Sequence, residues 1–132
     1  MSDAEEADDI DAIREQKKEE LEAKVTAPDE PIHVDGEDHF EDVIGDYPLV
    51  LVDFYADWCG PCKMLEPIVE DIAAETAATV AKVDIDAHQM LARKHNVQGV
   101  PTLYLFADGE EVERLVGVQD RDELTTLVEK YA

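Results

Sequence analysis

Leu49 to Tyr55 (LVLVDFY) is a near-continuous apolar run, the pattern of a central strand buried on both faces. Thr79 to Ile85 predicts a second strand of the same kind. Between them, from about Gly60 to Thr76, Leu65, Ile68, Val69, Ile72 and Ala73 recur at helical spacing. Pro67 lies inside that helix and is expected to kink it. Asp86 is suited to cap a further helix reaching about His95. Upstream, Ile32 to Val34 reads as a short strand and Asp38 to Ile44 as a short helix. Thr102 to Phe106 and Glu111 to Val116 flank Asp108-Gly109, a strong two-residue hairpin signal. The last helix opens on the capping pattern Asp120-x-x-Glu123 and carries Leu124, Leu127, Val128 and Tyr131 on one face. Alternating strands and helices followed by a hairpin predict an α/β fold, a central mixed sheet flanked by helices on both faces. No internal repeat is visible.

Before Ile32 the pattern changes. Residues 3–25 carry only a thin, interrupted apolar stripe (Ile10, Ile13, Leu21, Val25) and one favourable pair, Glu20 with Lys24. This segment reads as a charged helix or as a mobile, solvated arm. Thr26 to Pro31, with prolines at 28 and 31, is a linker. The expected organisation is an acidic N-terminal extension over residues 1–30 and one domain over residues 31–132, in keeping with a length of 132 residues.

Charge is the compositional outlier. The chain has 34 acidic and 11 basic side chains, a formal net charge of −23. Residues 1–30 hold 12 and 4 of these and residues 31–132 hold 22 and 7, so the domain itself is acidic. Such a protein repels nucleic-acid backbones and anionic membranes, which excludes both as main partners. An ordinary solvated surface with an acidic bias is one reading. The other is adaptation to molar salt, where a Debye length of about 3 Å screens self-repulsion. Charge on both parts of the chain, with seven lysines in all, favours the second and points to a halophile. No apolar stretch, Leu49 to Val52 included, is long enough to span a bilayer. Met1 to Glu6 lacks the basic start and apolar core of a signal peptide, so a soluble, cytoplasmic protein is expected.

The two cysteines stand in Trp58-Cys59-Gly60-Pro61-Cys62-Lys63, between the central strand and the next helix. A strand end delivers Cys59 to the open edge of the sheet, where α/β folds put their sites. Pro61 suits a first helical turn, and a helix N-terminus favours a thiolate at Cys59. Cys62 falls one turn later, within disulfide range. A zinc site would need further ligands, and His33, His39, His88 and His95 lie off any usual spacing, so no metal is expected. A structural disulfide closing so small a loop gains little chain entropy. Redox chemistry is the better reading.

Val52-Asp53-Phe54-Tyr55-Ala56-Asp57-Trp58-Cys59-Gly60-Pro61-Cys62-Lys63 resembles the active-site stretch of thioredoxins. The likeness continues through Ala81 to Asp86, Val100-Pro101-Thr102, Asp108-Gly109 and Val116-Gly117, covering about residues 31–132. The resemblance implies a thioredoxin fold and reversible reduction of protein disulfides, with no bound cofactor beyond the redox-active Cys59–Cys62 disulfide. It implies Cys59 as an exposed nucleophile and Cys62 as the resolving thiol. Asp53 would take the proton of Cys62, with Lys82 beside it; a satisfied core carboxylate and a solvent-facing lysine are the plainer alternatives. Pro101 matches the family's cis-proline, and Val100 would offer backbone hydrogen bonds to substrate. Trp58, Gly60, Pro61, Gly99 and Gly117 would line the docking surface. The implied partners are a thioredoxin reductase and disulfide-containing proteins, with the chain acting as a monomer. The Gly-Pro between the cysteines resembles the reducing class; an isomerase or oxidant, or a non-catalytic binding module, are the rival readings. Charge adds a halophilic archaeon as the expected source.

Overall fold

The computed structural model describes residues 27–132. The reading of residues 3–25 as a helix or mobile arm lies outside the described residues. The elements in chain order are β1 (Ile32–His33), α1 (Glu37–Asp46), β2 (Leu49–Tyr55), α2 (Gly60–Glu75) and β3 (Thr79–Asp84), then α3 (Gln89–Lys94), β4 (Thr102–Ala107), β5 (Glu110–Val116) and α4 (Arg121–Tyr131). The strands form one sheet in the order β1-β3-β2-β4-β5. β1 and β2 run parallel to β3, whereas β4 is antiparallel to β2 and to β5. The sheet is therefore mixed, with its parallel part built by crossovers and its antiparallel part by the hairpin.

Alternation along the strands sorts side chains onto two cores. Val50, Val52 and Phe54 of β2 join Ala81 and Val83 of β3 on one face, with Phe40, Val43 and Ile44 of α1 and Leu91 and Ala92 of α3. Leu49 and Leu51 join Val80 on the other, against Leu65, Val69, Ile72 and Ala73 of α2 and Leu124 and Val128 of α4. Six of the seven residues of β2 are buried, as expected of a strand covered on both sides.

Local chemistry fixes the ends. Asp108 (φ 53°) and Gly109 (φ 84°) both adopt the left-handed conformation, the requirement of the tight turn whose twist suits a hairpin. The side chain of Glu123 accepts a hydrogen bond from the backbone N–H of Asp120 at 3.3 Å, closing the start of α4 as its capping pattern foretold. α2 runs on through Pro67 to Glu75. The start of α3 differs from expectation. It begins only at Gln89, after His88. Asp84 holds the intervening turn, its Oδ1 accepting from the N–H of Asp86 at 2.9 Å. Asp86 does not cap the helix because its carboxylate is engaged elsewhere, by the indole of Trp58.

His95 sits just after α3 among Phe40, Phe54, Tyr104 and Phe106, with ring centroids 5.0–6.1 Å away. Its Nε2 is buried without a hydrogen-bond partner among the described residues. Burial lowers its pKa from the usual 6.5, opposed by Glu111 and assisted by Lys94. The folded state then binds fewer protons than the unfolded state below that value, so stability falls as pH drops through 6.5. His95→Phe keeps an aromatic ring in this cluster and removes the titration. Thermal unfolding should show a smaller loss of midpoint between pH 7 and pH 5 in the variant than in the parent; identical pH dependence would exclude His95 as the source.

Candidate functional site

β2 ends at Tyr55 and α2 starts at Gly60, so the junction falls at the edge of the sheet. Cys59 is the N-cap of α2, in extended conformation. Its Sγ accepts a hydrogen bond from the backbone N–H of Cys62 at 3.1 Å. Cys59 and Cys62 form a disulfide with their Cα atoms 5.3 Å apart. Pro61 occupies the first turn, where its missing N–H leaves no helical bond unmade. The helix thus aims its unpaired N–H groups and positive end at the Cys59 sulfur, the arrangement that stabilises a thiolate after reduction.

Cys59 is not exposed as the sequence suggested. It is 2% accessible and lies in an apolar cluster with Ala56 and Cys62, against which Tyr55, Ile85 and Val100 pack. Capping a helix with the sulfur draws the side chain inward, and the neighbouring Trp58, Gly60 and Pro61 carry the exposed surface instead. Trp58 is 69% exposed, and its indole N–H donates to Asp86 Oδ2 at 2.9 Å.

The residues before β4 complete the rim. The Val100–Pro101 peptide is cis. The Pro101 carbonyl accepts from the N–H of Gly117 at 2.8 Å, joining two segments the sequence had singled out separately. Gly117 has φ 90°, a conformation for which glycine is the unstrained choice. The exposed Gly99 offers its carbonyl to Thr102 Oγ1 at 2.6 Å.

Asp53 and Lys82 are direct neighbours across β2 and β3. Both project from the sheet face covered by α2, by alternation with Leu51 and Val80. Asp53 is 1% exposed and Lys82 6%, with Nζ 3.9 Å from Asp53 Oδ2. Neither is the solvent-facing or fully satisfied residue of the plainer readings: Lys82 is buried, and Asp53 Oδ1 has no hydrogen-bond partner among the described residues. Desolvation pushes the Asp53 carboxyl up from 3.8 to about 6; Lys82 opposes the shift and Glu66 adds to it. Burial outweighs the ion pair, since attraction alone would have moved the value down.

Three nearby residues escaped the sequence reading. Asp86 anchors Trp58. Tyr55 places its ring 4.4 Å from Lys82 Nζ. Glu66 approaches that same nitrogen to 3.7 Å. For Glu66 a signal existed: it lies four residues after Cys62, on the same helix face. Among the described residues no group of three or more His, Cys, Asp or Glu side chains could hold a metal ion.

The family model described as Thioredoxin matches residues 30–130. A thioredoxin of Chlamydia muridarum is 50% identical over 101 residues, which are 76% of this chain and 98% of the relative. Among solved structures, a mutant thioredoxin from Halobacterium salinarum NRC-1 has a TM-score of 0.78 and 58% identity, covering 80% of this chain and 93% of that one. Plasmodium falciparum thioredoxin has a TM-score of 0.68 and 35% identity, over 76% and 99% of the two chains. Likeness at this level along nearly the whole of those relatives, with a disulfide at the strand–helix junction, makes this chain a member of the thioredoxin family of thiol–disulfide oxidoreductases.

Proposed function

We propose that the protein is a cytoplasmic reductant of protein disulfides, working through Cys59 and Cys62 and regenerated by a thioredoxin reductase. The observation that carries this reading is the Cys59–Cys62 disulfide at the N-terminus of α2. In the reduced protein, the Cys59 thiolate attacks one sulfur of a substrate disulfide. That S–S bond breaks, a mixed disulfide forms, and the other substrate sulfur leaves as thiolate. Cys62 gives its proton to Asp53 and attacks Cys59 Sγ. The mixed disulfide breaks, the second substrate thiolate leaves, and the Cys59–Cys62 bond re-forms. Two electrons pass to the substrate, whose thiolates take up protons; the reductase then returns two electrons to the disulfide.

The substrate chain would lie against Trp58, Gly60, Pro61, Gly99, Val100, Pro101 and Gly117. Two observations support this surface. Val100 packs against the cysteine cluster. Its backbone N–H and C=O bond no other group among the described residues, leaving them open to a strand-like pairing.

Trapping tests the order of attack. Cys62→Ser should accumulate covalent mixed disulfides through Cys59, while Cys59→Ser should accumulate almost none. Equal trapping by the two variants would overturn the assignment of nucleophile and resolver.

Asp53 should affect stability and turnover in opposite directions. Its folded pKa, near 6, lies above the unfolded 3.8, so the folded state binds more protons between those values. Its cost to folding is absent well below pH 3.8, grows toward pH 6 and is then constant, at about 3 kcal/mol. Asp53→Ala should therefore raise the unfolding midpoint at pH 7, corresponding to a stabilisation on the order of 1 kcal/mol after the cavity's cost, with the gain shrinking toward pH 4. Release of substrate from the mixed disulfide should slow at pH 7 and recover at higher pH, where Cys62 ionises unaided. A variant that is less stable at pH 7 and resolves normally would remove Asp53 from the mechanism.

The acidic surface supports adaptation to high salt, and the 58% identity to a Halobacterium salinarum thioredoxin agrees with a halophilic source. Residues 1–30 would be an appendage to a domain over 31–132. The unfolding midpoint should rise from dilute buffer to molar KCl both in the full chain and after deletion of residues 1–30. That deletion should change insulin reduction by less than about twofold, because every proposed site residue lies beyond it. A salt-independent midpoint would sink the adaptation, and a tenfold loss of activity would sink the boundary.

A further inference from the structure

Lys82 serves two carboxylates at nearly equal range. Its Nζ lies 3.9 Å from Asp53 Oδ2 and 3.7 Å from Glu66 Oε2, with the Tyr55 ring on a third side. Asp53 is buried, whereas the Glu66 side chain is 55% exposed. Cys62, Glu66 and Lys82 line one narrow cleft of about 40 Å³, wide enough for a water molecule. Glu66 therefore stands between the buried charge pair and solvent, on the same helix face as Cys62.

We propose that Glu66 is a positioning residue for the resolving step: by sharing Lys82 with Asp53, it prevents the lysine from pairing with Asp53 alone and keeps that carboxylate basic enough to accept the Cys62 proton. The inference rests on Asp53 being that acceptor. The proton moves from Cys62 Sγ to Asp53 and onward to solvent, while the thiolate closes the disulfide as described above. Other titratable groups stand around the same cleft. These groups line the cleft or act on the Tyr55 ring within it: Tyr55 and Asp57 come from β2 and the loop after it, Lys63 from α2, and Asp84, from the end of β3, acts on Tyr55. Among the described residues, Glu66 and Asp53 are the carboxylates within 4 Å of Lys82. Glu66 also raises the Asp53 pKa by its own charge, in the direction the proposal requires.

The test uses the full chain and follows single-turnover release from a mixed disulfide across pH, in Glu66→Gln, Glu66→Asp and Asp53→Asn. Infrared titration of the Asp53 carboxyl in the oxidised proteins provides a readout independent of turnover. Glu66→Gln should move both midpoints toward acid by about 0.5 of a pH unit, the scale of a partly exposed ion pair. Glu66→Asp should restore most of the shift. In molar KCl the difference between parent and Glu66→Gln should shrink, because the Debye length falls to about 3 Å. Unchanged midpoints in Glu66→Gln, with the ionisation abolished in Asp53→Asn, would overturn the role of Glu66 alone. A release profile unaltered by Asp53→Asn would overturn the reading of Asp53, and the inference with it.

Discussion

A carboxylate in the middle of the central strand is the constraint around which the site is organised. Asp53 lies in a run of buried residues, and the register of β2 on β3 sets Lys82 directly beside it. A slip of one residue would turn Asp53 to the opposite face, toward Ala81, Val83 and the aromatic cluster and away from Lys82. The pairing is therefore a condition of the fold. It does not remove the cost of burial. The carboxyl is driven up toward 6 even with Lys82 present, so desolvation exceeds the attraction. A buried carboxyl whose pKa is raised by desolvation disfavours the folded state at neutral pH, so packing does not account for it.

The overall charge gives that balance a wider setting. Residues 31–132 carry 22 acidic and 7 basic side chains, and one of the seven bases is committed to the buried pair. The rest of the surface is a field that favours protonation of any buried carboxyl and is weakened by salt. Of the groups acting on Asp53, Lys82 is buried and shielded from ions, whereas Glu66 is half open to them. Salt should therefore change the repulsive contribution more than the attractive one.

Helix α2 links this electrostatic arrangement to the hydrophobic core. Leu65, Val69, Ile72 and Ala73 anchor it to one face of the sheet, while its first turn carries both cysteines. Burial of those side chains, at roughly 1.5–3 kcal/mol for each of the larger ones, holds the disulfide over a fixed edge of the sheet. The rim is built differently. Pro101 and Gly117 are tied by a backbone bond, and Trp58 is held by Asp86, so its shape depends on hydrogen bonds between segments distant in sequence.

Signals confined to a few neighbouring residues were legible in the sequence. The apolar run of β2, the Asp108-Gly109 hairpin and the Asp120-Glu123 start of α4 all reappear in the structure. So does the cysteine pair at the strand–helix junction, because strand periodicity, turn conformation and helix capping are local properties. Charge and polar pairing were harder to read. The side chain of Asp86 could satisfy a helix N–H close by or the Trp58 indole 28 residues away, and only the packed fold brings that indole within 2.9 Å. The resemblance implied an exposed Cys59, but its neighbours in three dimensions cover it. The basicity of Asp53 depends on the residue across the strand, a helix residue reaching the same lysine, and the exclusion of water. The sequence by itself determined which residues could form strands, turns and caps, and where two cysteines could meet. The tertiary structure alone decided which charges share a low-dielectric space, because burial and Coulomb attraction depend on distance through the fold and not along the chain.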